Sequence, residues 1–77
     1  MPTAFVFINT EPAWMVKVLK NVSAVEGVVE ATMVYGLYDL VVRIEVDTMD
    51  KLKRIITERI RKIHKVKATI TAIVVKI

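Results

Sequence analysis

Apolar residues recur along this chain with two spacings, and the switches between them mark out its elements. Residues 3–9, TAFVFIN, are β-branched and aromatic and predict a strand. Thr10 then stands where a helix cap is expected, with Glu11 suited to a helix's positive end and Pro12 to its first turn. Met15, Val18, Leu19 and Val22 follow at i, i+3, i+4 and i+7, one stripe of a helix. Residues 28–35, VVEATMVY, predict a second strand. Residues 39–47, DLVVRIEVD, predict a third, with Leu40, Val42, Ile44 and Val46 on one face and Arg43 and Glu45 on the other. Thr48 is placed to cap a second helix with Asp50 in its first turn, and Leu52, Ile56, Ile60 and Ile63 form its buried stripe. Residues 67–77, KATITAIVVKI, close the chain as a fourth strand.

The order β-α-β-β-α-β is the split βαβ, or ferredoxin-like, pattern of an α+β domain. Right-handed crossovers put both helices on one face of a four-stranded antiparallel sheet. The other face should then be polar, but strand 1 is apolar on both sides: Phe5 and Phe7 alternate with Ala4, Val6 and Ile8. Strand 4 repeats this, with Ile70, Ala72 and Val74 facing one way and Ile73, Val75 and Ile77 the other. Strands of that kind are buried on both faces, so the open face is expected to be an interface.

Composition sharpens this expectation. Seventy-seven residues allow one domain, and 55% of them are hydrophobic. A core this small supplies only about 3–5 kcal/mol unaided, so burial against further copies is the natural use for the excess. No apolar run approaches the roughly 18 residues that span a bilayer, and MPTAFVFINTEP lacks the marks of a signal peptide; a cytoplasmic protein is expected. The chain has no cysteine, hence no disulfide and no thiolate metal site. Absent glutamine and cysteine with abundant Ile, Val, Lys and Arg hint at a thermophilic source.

The residues offer little to an enzyme. His64 is the only histidine and Ser23 the only serine, and there is no Cys/His cluster, HExxH or phosphate-cradling GxxxxGK[ST]. No residue set calls for a cofactor. Acylphosphatases share the topology but use an arginine in a glycine-containing loop after strand 1, where this chain has NTEPAW. RNA-recognition modules carry aromatics on strands 1 and 3; here strand 3 is aliphatic. The net charge of +4 gathers on helix 2, where Lys51, Arg54, Arg61, Lys62 and Lys65 are expected on one arc with Glu58 among them. That arc is ordinarily a solvated face, with phosphate contact as its functional alternative. Trp14, flanking the stripe of helix 1, suits packing or an interface.

One short segment exceeds what folding asks of it. VYGLYDLV, residues 34–41, sets Gly36 beside Tyr35, Tyr38 and Asp39 in the turn between strands 2 and 3. Gly36 can take a positive φ there, and Asp39 can bond to backbone amides, but a tight hairpin needs neither tyrosine. GLYDL at 36–40, following one strand and leading into LVVRIEV, resembles the GxYD signature of the Lrp/AsnC family of leucine-responsive, or feast/famine, transcriptional regulators. TIT at 69–71 is similar to that family's T-x-T before the last apolar strand. Both motifs keep the family's order, with Tyr35 standing where a threonine is usual. The resemblance covers essentially the whole chain but only the effector-binding half of a typical member, the RAM domain, without the helix-turn-helix.

The resemblance implies a stand-alone RAM protein of the demodulator type that binds a free amino acid. It would dimerise by sheet-to-sheet pairing into an α/β barrel, assemble further to octamers, and co-assemble with full-length relatives, with no sequence-specific DNA binding of its own and no membrane. In such a site Asp39 accepts from the ammonium, backbone N–H groups around Gly36–Tyr38 meet the carboxylate, and Thr69 and Thr71 add hydroxyl bonds. Val34, Leu37, Tyr35 and Tyr38 wall the side chain. Two alternatives stay open: an ACT-like regulatory module of a metabolic enzyme, and a nucleic-acid binder using the helix 2 arc.

Overall fold

In a computed structural model that describes residues 1–75, the chain runs β1 (Thr3–Thr10), a 3-10 turn (Pro12–Trp14), α1 (Met15–Ser23), β2 (Val28–Met33), β3 (Leu40–Glu45), α2 (Met49–Ile55), a π-helical turn (Ile56–Ile60) and β4 (Val66–Ile73). Ile77, assigned above to one face of strand 4, lies outside the described residues. The sheet order is β2-β3-β1-β4 and every neighbouring pair is antiparallel. That is the ferredoxin-like arrangement: β3 sits between the two strands that the first helix connects.

The period-2 pattern of β1 buries Ala4, Val6, Ile8 and Thr10, and that of β3 buries Leu40, Val42 and Ile44. Val18 and Val22 of α1 pack onto this face with Leu52, Ile55, Ile56 and Ile60 of the second helical segment. Met15, Leu19 and Ile63 cover the margins of the core. Each fully buried Leu or Ile contributes about 1.5–3 kcal/mol, so the core rests on the residues whose spacing predicted it, with Val25 and Ile55 added. The Thr48 hydroxyl caps α2 by accepting from the Lys51 N–H at 3.2 Å.

Three expectations need correction. Thr10 caps no helix. Pairing between β1 and β4 continues to Thr10, opposite Val66, which draws the residue into the sheet, and Glu11 takes the cap position without a side-chain bond. The second helix ends at Ile60 rather than running past Ile63: residues 61–65 form turns, and Lys65 has φ 72°. Arg61, Lys62 and Lys65 therefore lie beyond the helix, not on one arc with Lys51 and Arg54. Finally, β2 stops at Met33 and β3 starts at Leu40, so residues 34–39 form a longer loop than a tight hairpin.

The face away from the helices is built in rows across the strands. Glu30, Arg43, Phe5 and Ala72 stand side by side, as do Thr32, Val41, Phe7 and Ile70. One half is thus polar, with Arg43 joined to Glu45 and, at 3.6 Å, to Glu30. The other half is apolar: Phe5 and Phe7 are half-buried, and Ile70 is exposed at the edge strand. Strand 4 also departs from expectation: it ends at Ile73, so Val74 and Val75 lie beyond it, and its helix side carries Thr69 and Thr71 beside Ile73. Ile70 and Ile73 both remain open to solvent within the single chain.

Candidate functional site

The loop at 34–39 begins where the β2–β3 ladder ends. The Val34 N–H donates to the Asp39 carbonyl oxygen at 2.9 Å, and the Asp39 N–H donates to the Ile8 carbonyl oxygen at 2.9 Å. Both ends of the loop are therefore tied to the sheet while its tip projects. Gly36 has φ +150°, a region L side chains rarely adopt, and no heavy atom lies within 4 Å of where a Cβ would stand. The glycine serves the backbone, not close packing. Tyr35 and Leu37 flank it at 106% and 90% exposure, and Val34 is also exposed.

The second half of the motif turns inward. The Tyr38 ring packs against Phe7 with centroids 5.6 Å apart and planes tilted by 46°, which carries it over the open face of the sheet. Asp39 is half-buried, and its Oδ2 accepts from the Thr10 N–H at 2.8 Å. That bond satisfies a backbone donor where β1 leaves the sheet. Of the two roles open to Asp39 from the sequence, the structural one is present, and a carboxylate retains acceptor sites beyond this one bond.

Thr69 faces Ile8 and Thr71 faces Val6, so both hydroxyls belong to the helix side of β4. Thr69 and Leu40 flank Ile8 in one row, two strand spacings or about 9–10 Å apart. Thr69 lines a cavity of about 330 Å³ with Arg61, Val66, Lys67 and Ala68; no residue of the 34–39 loop joins it. The two motifs thus occupy the same end of the sheet without sharing a cavity in one chain. Sequence reasoning missed Thr10 as the partner of Asp39 and Lys67 as a cavity residue. A threonine ending an apolar strand carried no signal for the first. For the second, the basic run continuing from the helix into KATIT was the available sign.

His64 packs edge-on against Trp14 with centroids 5.3 Å apart, and the Lys65 Nζ lies 5.4 Å from the centre of the same ring. These residues hold the start of the first helical segment to the turn before β4, and the Glu11 N–H donates to the Lys65 carbonyl oxygen at 3.2 Å. Among the described residues no cluster of His, Cys, Asp or Glu could hold a metal ion, and no helix is long and apolar enough to cross a membrane.

Residues 3–77 match the family model described as the Lrp/AsnC ligand binding domain. The chain belongs to the Lrp/AsnC family. Among solved structures it is similar to FFRP-DM1, with 40% identity and a TM-score of 0.92 over 97% of this chain and all of that one. It is also similar to the hypothetical protein PHS023 from Pyrococcus horikoshii, with 39% identity and a TM-score of 0.91 over 99% of this chain and 92% of that one. The transcriptional regulator NMB0573 from Neisseria meningitidis, solved as an L-Met complex, has the same fold at a TM-score of 0.83 and 16% identity. There the match covers 97% of this chain and 50% of the regulator. Among curated proteins none matches the sequence. As a ligand-binding domain of this regulator family, the protein has a regulatory sensing role.

Proposed function

We propose that the protein senses a free amino acid at the loop 34–39 and transmits its presence through assembly with other copies of the domain. The observation that carries this reading is the division within the loop. Asp39 and Tyr38 are anchored to β1, while Tyr35 and Leu37 project with no use in the protomer's own packing. Exposed aromatic and aliphatic side chains beside a positioned carboxylate suit the side chain and ammonium of an amino acid. Thr69 and Thr71 line no cavity with the loop in one chain, and a neighbouring copy supplies the second wall of the site. The apolar half of the open face, Phe5, Phe7 and Ile70, is the surface for sheet-to-sheet pairing into a dimer, from which octamers assemble.

The L-Met bound to the Neisseria meningitidis regulator supports an amino-acid effector, and the family match favours this reading over an ACT-like enzyme module. Longer regulators of the family are the expected co-assembly partners, since they present the same domain. An amino acid that bridges copies adds its binding energy only to assemblies with the site complete, and so biases which assemblies form.

A thermal-shift screen across the twenty amino acids tests the proposal. One or a few should raise Tm, since ligand at about 100 Kd adds roughly 2.7 kcal/mol. Native mass spectrometry on mixtures with a full-length relative should show mixed assemblies. No shift with any amino acid, together with a folded monomer at micromolar concentration, would sink the proposal.

A further inference from the structure

Charge is distributed unevenly in this protein. Residues 51–67 hold eight of its 12 lysines and arginines against a single acid, Glu58. Two of the eight are paired, Lys51 with Glu26 at 3.7 Å and Arg54 with Glu58 at 4.0 Å. Among the described residues the other six have no acidic partner within 4.0 Å. The carbonyl end of the second helical segment attracts cations, but a macrodipole amounts to only about half an elementary charge. It accounts for Arg61 or Lys62, not for the whole group, and Lys67 stands on a strand.

The structure gathers part of this charge around a cavity. The β1–β4 register shifts between Asn9, opposite Ala68, and Thr10, opposite Val66, leaving Lys67 as the unpaired residue of a bulge. Bulges re-aim side chains, and here four successive residues, 66–69, line the cavity of about 330 Å³ together with Arg61. No acid lines it. Glu11, whose backbone joins this corner through Lys65, forms no ion pair among the described residues.

We propose that this cavity binds a phosphate group. The Arg61 guanidinium offers a planar fork of donors, Lys67 an ammonium and Thr69 a hydroxyl, a set that matches the charge and the acceptor oxygens of phosphate. Lys62 and Lys65, in the turn that joins Arg61 to β4, add to the positive charge of this segment. The group is carried either by a nucleic-acid backbone or by a small phosphorylated molecule. The proposal shares Thr69 with the amino-acid reading but rests on Arg61 and Lys67, which that reading does not use, and its test leaves Thr69 and the 34–39 loop untouched.

The full chain is titrated with inorganic pyrophosphate by calorimetry and with a fluorescent random-sequence DNA duplex by anisotropy, at about 50 mM and about 200 mM salt. Saturable binding of at least one is expected. The double variant Arg61→Gln, Lys67→Gln should weaken it about tenfold or more while keeping the native Tm, both side chains being exposed. Lys53→Gln, on α2 and outside the cavity, should change it less than about threefold. Preference for the duplex, with affinity falling steeply as salt rises, assigns the site to a nucleic-acid backbone; preference for pyrophosphate assigns it to a small ligand. Saturation by neither, or an equal loss with Lys53→Gln, overturns the proposal.

Discussion

Two turns bracket β2, and each holds one of the chain's two glycines at positive φ. At the first, Gly27 has φ +92°, and a Cβ there would stand 2.7 Å from the Val46 Cγ1 and 3.3 Å from the Ile55 Cδ1. Its carbonyl oxygen accepts from the Glu45 N–H at 2.9 Å. At the second, Gly36 has φ +150°, and beyond its chain neighbours no heavy atom lies within 4 Å of where a Cβ would stand. The first turn is closed by the core and its sequence is accounted for by folding. The second is held only at its ends, and its exposed Tyr35 and Leu37 contribute nothing to the core. A shared need for positive φ at two turns, with such different surroundings, separates residues that serve the fold from residues free to meet a ligand or a neighbouring copy.

The largest effect that would break this contrast belongs to the closed turn. Gly27→Val combines backbone strain with overlap on Val46 and should cost about 4 kcal/mol or more, leaving little folded protein by circular dichroism. A native-like melt would show that the turn has more room than the geometry gives it. Ile55→Ala, which removes one wall of the same turn, should cost about 2–5 kcal/mol in chemical denaturation. Gly36→Ala meets no atom and bears only the φ penalty, about 1–3 kcal/mol. Equal losses from alanine at the two glycines would erase the distinction. Tyr35→Ala together with Leu37→Ala should leave stability within about 0.5 kcal/mol at fixed protein concentration and without ligand. A larger loss, persisting on dilution, would mean that the loop serves the protomer's own fold.

Much of this arrangement was legible in the sequence, because period-2 and period-3.6 burial are imposed by the backbone itself. Val18 and Val22, Leu40, Val42 and Ile44, and Leu52, Ile56 and Ile60 were all placed by spacing alone. The boundaries were less legible. The basic residues after Ile60 continue a helical pattern that the chain abandons for turns, with Lys65 at φ 72°. Thr10 looked like a cap because its neighbours Glu11 and Pro12 suit a helix start, whereas cross-strand pairing decided its place. Register is a long-range property that short windows do not contain. The candidate site stands out in the sequence as a surplus: two tyrosines and an aspartate where a turn needs a glycine. The Asp39–Thr10 bond was not, since it joins residues 29 positions apart.

That bond sets how the central claim is tested. Asp39→Ala would remove the acceptor of the Thr10 N–H along with any ligand contact, confounding fold with binding. Asp39→Asn keeps an oxygen for Thr10 and removes the charge. Calorimetry should compare the unaltered protein and Asp39→Asn, each with the amino acid that raises Tm most. The account predicts an unchanged melt without ligand and an affinity loss of about 1.5–3 kcal/mol, the worth of a hydrogen bond to a charged group. Equal affinity in the two proteins would contradict it, leaving Asp39 as a clasp between β1 and β3 with no part in recognising the effector.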